Sequence, residues 1–174
     1  MKIKHFIAFL IVLSINSFAQ NKNSFVLIKG TTNVNTFKCT NDNFHQQSPL
    51  TIDTPQKNKF SETTISLAVK DFDCKNKVMT NDFQNTLNAD KYPFLAITFI
   101  SMDKISENKF KACVQVKMMN KLKKYTIDFV LIDNKLIGAK TLFFSDFDIV
   151  PPKKFGGLVY VKDALDLSFS LKAN

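Results

Sequence analysis

Apolar and polar residues alternate through several stretches of the chain, and each stretch reads as a β-strand with one buried face. In Glu62 to Val69, Ile65, Leu67 and Val69 fall on one side of an extended backbone, while Thr64, Ser66 and Ala68 fall on the other. The pattern returns in Phe110, Ala112, Val114, Val116 and Met118, opposed by Lys111, Cys113, Gln115 and Lys117. It recurs with Tyr125, Ile127, Phe129 and Leu131 against Lys124, Thr126 and Asp128. The last example sets Leu165, Leu167, Phe169 and Leu171 against Asp166, Ser168 and Ser170. Less regular extended runs, Phe25 to Ile28, Asn33 to Cys39, Phe94 to Ile100 and Lys135 to Phe144, are separated by turn-rich pieces such as Asp133-Asn134. One segment departs from this period. Asn81 to Lys91 reads as a short helix: Asn81 caps it, Gln84 takes the capping-box position, Phe83 and Leu87 share a face, and Pro93 stops it.

About eight antiparallel strands of this kind either pack as two sheets or curl into one barrel, and closure removes exposed edges. The expectation is therefore an all-β protein, an extended eight-stranded antiparallel β-barrel with one short helix between strands. A barrel of this strand number either fills its inside with side chains or leaves room for one small ligand. The inward set is long and rich in phenylalanine, and the chain has no tryptophan to plug the centre, which favours a cavity; a filled core is the alternative.

Composition fits one globular domain: 174 residues, 45% of them hydrophobic and 22% charged. The formal charge is +9, and every lysine-or-arginine cation is a lysine. Without arginine the two-point fork that reads phosphate and guanine is missing, which argues against a nucleic-acid partner. At the N-terminus, Lys2 and Lys4 precede an apolar run from Phe6 to Ile15, interrupted only by Ser14, and small residues follow at Ser17 and Ala19. This is the form of a signal peptide, residues 1–19, cleaved after Ala19 to leave a domain over 20–174. No later run reaches the roughly 18 apolar residues of a membrane helix. The expected address is the periplasm, with full secretion the lesser option.

An oxidising compartment changes how the three cysteines are read. Cys39 ends one strand-like run and Cys74 follows another, both beside polar turn residues, so the two are expected to pair and leave Cys113 free. Three isolated thiols are the alternative.

Candidates for catalysis are sparse. Beyond the leader the one histidine is His45, in a polar stretch, so an ordinary zinc site cannot be assembled, and there is no Gly-x-Ser-x-Gly elbow. Asp71 with Asp73, and Asp146 with Asp148, have spacings that acid/base pairs can have, yet they sit at strand ends where aspartate caps turns. Gly156-Gly157 lacks the lysine and helix of a phosphate loop and reads as a turn. Lys121, Lys123 and Lys124, with Lys153 and Lys154, form positive patches on hairpins. The chain is read as a non-enzyme with no metal and no cofactor beyond a non-covalently bound isoprenoid or lipid.

Gly30, Thr32, Asn33, Val34, Phe37 and Cys39 resemble the opening strand of the YceI-like family of exported lipid- and polyisoprenoid-binding proteins. Met79, Asp82, Leu87, Tyr92 and Pro93, then Ile97, Phe99 and Ser101, resemble its short helix, tyrosine-proline turn and following strand. Pro151-Pro152, Phe155-Gly156, Val161, Lys162, Asp163 and Leu167 are similar to its closing hairpin, so the resemblance spans the chain beyond the leader. Asn33-Val34 stands where many members carry histidine-serine. The resemblance implies a lipocalin-like barrel holding a long isoprenoid along its axis. On that basis the chain is expected to be a periplasmic carrier for a polyisoprenoid, quinone or fatty-acyl chain, with transient contact at a membrane surface. The expected lining is Ile65, Leu67, Val69, Phe99, Val114, Val116, Ile127, Phe129, Leu167 and Phe169, with Phe83 and Leu87 closing one end. The rival is a non-catalytic interaction module, a filled barrel presenting its lysine-rich hairpins to an acidic partner or surface. A redox role through Cys113 or a labile Cys39–Cys74 bridge lacks a Cys-x-x-Cys motif.

Overall fold

The computed structural model describes residues 24–44, 50 and 63–173. The predicted leader, its cleavage site and His45 lie outside the described residues. The strands are β1 (Phe25–Thr32), β2 (Thr36–Asn41), β3 (Thr63–Ala68), β4 (Phe94–Ser106), β5 (Lys109–Met118), β6 (Lys121–Ile132), β7 (Lys135–Phe143), β8 (Lys153–Lys154) and β9 (Val159–Lys172). They form one antiparallel sheet in the order β2-β1-β9-β7-β6-β5-β4-β3, with the two-residue β8 paired to β9. This is the expected all-β barrel architecture. The alternation survives folding: Ile65, Leu67, Phe110, Ala112, Val114, Val116, Ile127, Phe129, Leu165, Leu167, Phe169 and Leu171 all face one buried core.

The sheet curls until its two edge strands meet, but β2 and β3 do not share a ladder. Instead Thr40 and Asp73 exchange two backbone hydrogen bonds of 2.9 Å, the Asn41 side chain donates to the Ala68 carbonyl at 3.0 Å, and Cys39 is disulfide-bonded to Cys74. Cys113 is free and half-buried. A bulge at Ile100 lets β4 bend, because Phe99 pairs with Val114 and Ser101 already pairs with Cys113. On the far side of the barrel the β6–β7 ladder is short, running only from Phe129↔Gly138 to Ile132↔Lys135.

Two strand glycines make room for aromatic rings on the neighbouring strand. Gly30 pairs with Phe37 and Gly138 pairs with Phe129, and a Cβ on either glycine would stand 2.1 or 2.5 Å from the ring. Only hydrogen fits there.

The helix is α1 (Lys77–Thr86), and it starts earlier than Asn81. Asn76 is the cap, its Oδ1 accepting from the Met79 amide at 3.0 Å. Asn81 lies inside the helix, and the Gln84 side chain donates to the Lys70 carbonyl at 3.1 Å rather than closing a capping box. Phe83 and Leu87 do turn inward, and Phe83 packs on Phe72 with ring centroids 5.3 Å apart. The helix thus lies over one end of the barrel.

Candidate ligand-binding site

The middle of the barrel is closed by three rings. Phe99 on β4, Phe129 on β6 and Phe169 on β9 have centroids 5.7, 5.7 and 6.5 Å apart, tilted or edge-on to each other. β4 and β9 are separated in the sheet by β7, β6 and β5, so the contact between Phe99 and Phe169 runs across the interior. Every residue expected to line the barrel, from Ile65 to Phe169, is buried and belongs to this one continuous core.

Open apolar space lies at the α1 end. A cavity of about 80 Å3 is enclosed by Thr32 and Phe37 from the first hairpin, Met79, Asp82, Phe83 and Thr86 from α1, Phe144, and Pro152, Lys154, Val159, Tyr160 and Val161 around β8 and β9. Phe83 is the one expected lining residue that reaches it. Sequence reasoning missed the others as a set because they come from four distant segments, and the joining contact, Lys154 Nζ to Asp82 Oδ1 at 2.9 Å, spans 72 positions. That ion pair belongs to the cavity wall and ties the helix to β8. The volume exceeds the roughly 10–15 Å3 that admits a water but falls short of the roughly 150 Å3 at which an apolar cavity takes up benzene. As it stands, the space fits the tip of a branched or straight hydrocarbon chain.

Three local arrangements hold the cavity walls. In the turn between β1 and β2, the Asn33 side chain donates to the Leu158 carbonyl at 2.9 Å and accepts from the Tyr160 amide at 3.1 Å, binding the first hairpin to the last. The 3-10 turn Phe144–Phe147 is pinned on one side by Ser145, whose amide and hydroxyl donate to Asp163 at 2.9 and 2.6 Å. On the other side the Tyr125 hydroxyl donates to Asp146 at 2.8 Å, beyond the last β6–β7 pair. Burial, then the hydrogen bond and charge of Asp146, push the Tyr125 phenol above its ordinary range. Phe144 is thereby held against the cavity.

The paired aspartates are structurally occupied. Asp73 accepts from the Lys75 amide and ammonium, both at 2.8 Å, which holds its carboxyl below the usual range, and Asp71 accepts from Asn43 at 3.4 Å. Asp148 pairs with Lys121, which likewise lowers its carboxyl, while Asp146 serves Tyr125. Among the described residues no three His, Cys, Asp or Glu side chains gather into a metal-holding group, and no helix is long and apolar enough to cross a membrane.

Comparison with solved structures gives the class of the fold. The chain matches the crystal structure of BcnA from Burkholderia cenocepacia with a TM-score of 0.70 and 18% identity, covering 87% of this chain and 96% of that one. It matches a Campylobacter jejuni YceI protein with a TM-score of 0.52 and 17% identity, over 100% of this chain and 90% of that one. A polyisoprenoid binding domain from Saccharophagus degradans, implicated in plant cell wall breakdown, matches with a TM-score of 0.53 and 8% identity, over 87% and 94% of the two chains. The fold is the lipocalin-like barrel of the YceI proteins. No protein-family model matches the sequence, and no curated protein matches it.

Proposed function

We propose that the chain is a non-catalytic, exported member of the YceI-like group that binds the apolar tail of a polyisoprenoid, quinone or fatty-acyl amphiphile and carries it through the periplasm. The observation that carries this reading is the apolar cavity beside α1, with one ion pair in its lining, at the end of a barrel whose fold is shared with a polyisoprenoid binding domain. Each buried methylene-sized group contributes about 0.8 kcal/mol, so a five-carbon unit offers about 4 kcal/mol before entropic and desolvation costs. A tip seated in the present cavity holds the ligand weakly. Tighter binding requires the walls Phe37, Phe83 and Phe144, and then the Phe99, Phe129 and Phe169 rings, to turn aside as the tail advances.

Native mass spectrometry and solvent extraction of protein recovered from a bacterial periplasm test this. A co-purifying apolar molecule, lost when the half-buried cavity residue Met79 is replaced by glutamate in a variant of unchanged thermal stability, is the expected result. Repeated empty preparations that also fail to take up added isoprenoid overturn it.

The rings that meet across the middle favour a second reading, in which the barrel stays filled and its lysine-rich hairpins engage an acidic partner. Salt-sensitive binding to anionic surfaces without any uptake of an apolar tail distinguishes it from the carrier.

A further inference from the structure

Five apolar side chains on the segments that supply the cavity walls are exposed. Val34 is 65% exposed, Val78 69%, Val150 82%, Phe155 79% and Leu158 77%. They come from separate segments, and specific contacts bring those segments together. Val34 follows Asn33, whose side chain is bonded to Leu158 and Tyr160. Val78 lies one helical turn before Asp82, the partner of Lys154, and Val150 shortly precedes Pro152 on the cavity wall.

The hairpin tip is shaped to hold its ring outward. Phe155 has φ 51°, a left-handed turn position that bulky side chains rarely occupy, and Gly156 and Gly157 continue the turn between the paired strands at φ 66° and 99°. A Cβ added at either glycine would meet nothing within 4 Å, so the tip stands clear of the barrel.

Charge on this rim has one dominant sign. Lys153 and Lys154 immediately precede Phe155, Lys77 adjoins Val78, and Lys162 is exposed on β9. Of the nearby carboxylates, Asp82 is paired with Lys154 and Asp148 with Lys121, and Asp163 accepts from Ser145 and keeps its charge, whereas among the described residues Lys77 and Lys153 have no carboxylate partner. Scattered convex apolar tips do not fit a shaped protein groove, but a fluid headgroup layer accepts them individually, and its phosphates complement the lysines.

We propose that this rim docks on an anionic phospholipid bilayer, with Phe155 and Leu158 entering the headgroup layer and Lys77 and Lys153 meeting phosphates. The inference rests on the carrier reading in that it turns the cavity end of the barrel toward the membrane in which apolar tails reside.

Vesicle co-sedimentation tests it without any isoprenoid present, so that its failure is separable from an empty ligand site. Wild type and variants are recovered from a bacterial periplasm and their N-termini checked by mass, so that the apolar run Phe6 to Ile15 is absent and does not itself bind vesicles. Wild type should partition onto phosphatidylglycerol–phosphatidylethanolamine vesicles and far less onto phosphatidylcholine alone. The double variant Phe155→Ser, Leu158→Ser should lose binding by at least about tenfold while its thermal unfolding is unchanged. Because the chain has no tryptophan, Phe155→Trp supplies a single probe. Its emission should shift to the blue on anionic vesicles and be quenched by brominated lipid. An unshifted, unquenched probe overturns the proposal. So does a serine double variant that still binds like wild type, which would mean that lysines alone, or a protein partner elsewhere, account for surface attraction.

Discussion

Phenylalanine lines both the middle of the barrel and its α1 end, with opposite results. In the middle, Phe99, Phe129 and Phe169 meet ring to ring and leave the interior closed. At the end, Phe37, Phe83 and Phe144 stand around open space instead of meeting, and the remaining side is made by Pro152, Lys154, Val159, Tyr160 and Val161 around β8 and β9. The contrast separates where the fold is held from where a guest could enter.

The largest expected effect comes from breaking the middle. Phe129→Ala should cost about 3–5 kcal/mol in chemical denaturation, since it removes a buried ring that contacts two others and lies over Gly138. Opening the seam between the edge strands should come close. The bridge joins residues 35 apart, and replacing Cys39 and Cys74 with serine should lower unfolding free energy by about 4 kcal/mol on the loop-entropy account.

A smaller effect is expected from Tyr125→Phe. The phenol pKa is raised in the folded protein, so its contribution is fully present below the unfolded value of about 10 and is lost as pH climbs above it. The wild type should therefore lose stability more steeply than the variant in alkaline thermal melts. Smallest in stability is Lys154→Ala, an exposed pair worth about 0–1 kcal/mol. Its effect should be seen instead as faster uptake of an apolar fluorescent probe, measured by stopped flow. If Phe129→Ala speeds uptake more than Lys154→Ala does, the division between middle and end is wrong.

The strands were legible because alternation depends only on neighbours two apart, and each buried face in β5, β6 and β9 keeps that period. The start of α1 was misread because Asn81 and Gln84 match the spacing of a capping box, while the true cap, Asn76, works with a backbone amide and leaves no side-chain partner in the sequence. Alternation also states which side chains face inward but not how far they reach, so a hollow and a filled barrel look alike until Phe99 and Phe169 are seen to touch. Of the cavity at the α1 end only Phe83 was legible. The other walls are set by long-range contacts such as Asn33 with Leu158, which no local pattern encodes.

The short ladder between β6 and β7 has a consequence for how the protein breathes. β9 is flanked by β1 and β7 on both sides through its middle, from Leu165 to Ser170, whereas Lys121–Asp128 is laddered to β5 alone among the described residues. Amide deuteration should accordingly be slowest in β9 and reach the first part of β6 early, so the wall would loosen there, beside Tyr125, before the rest of the sheet gives way.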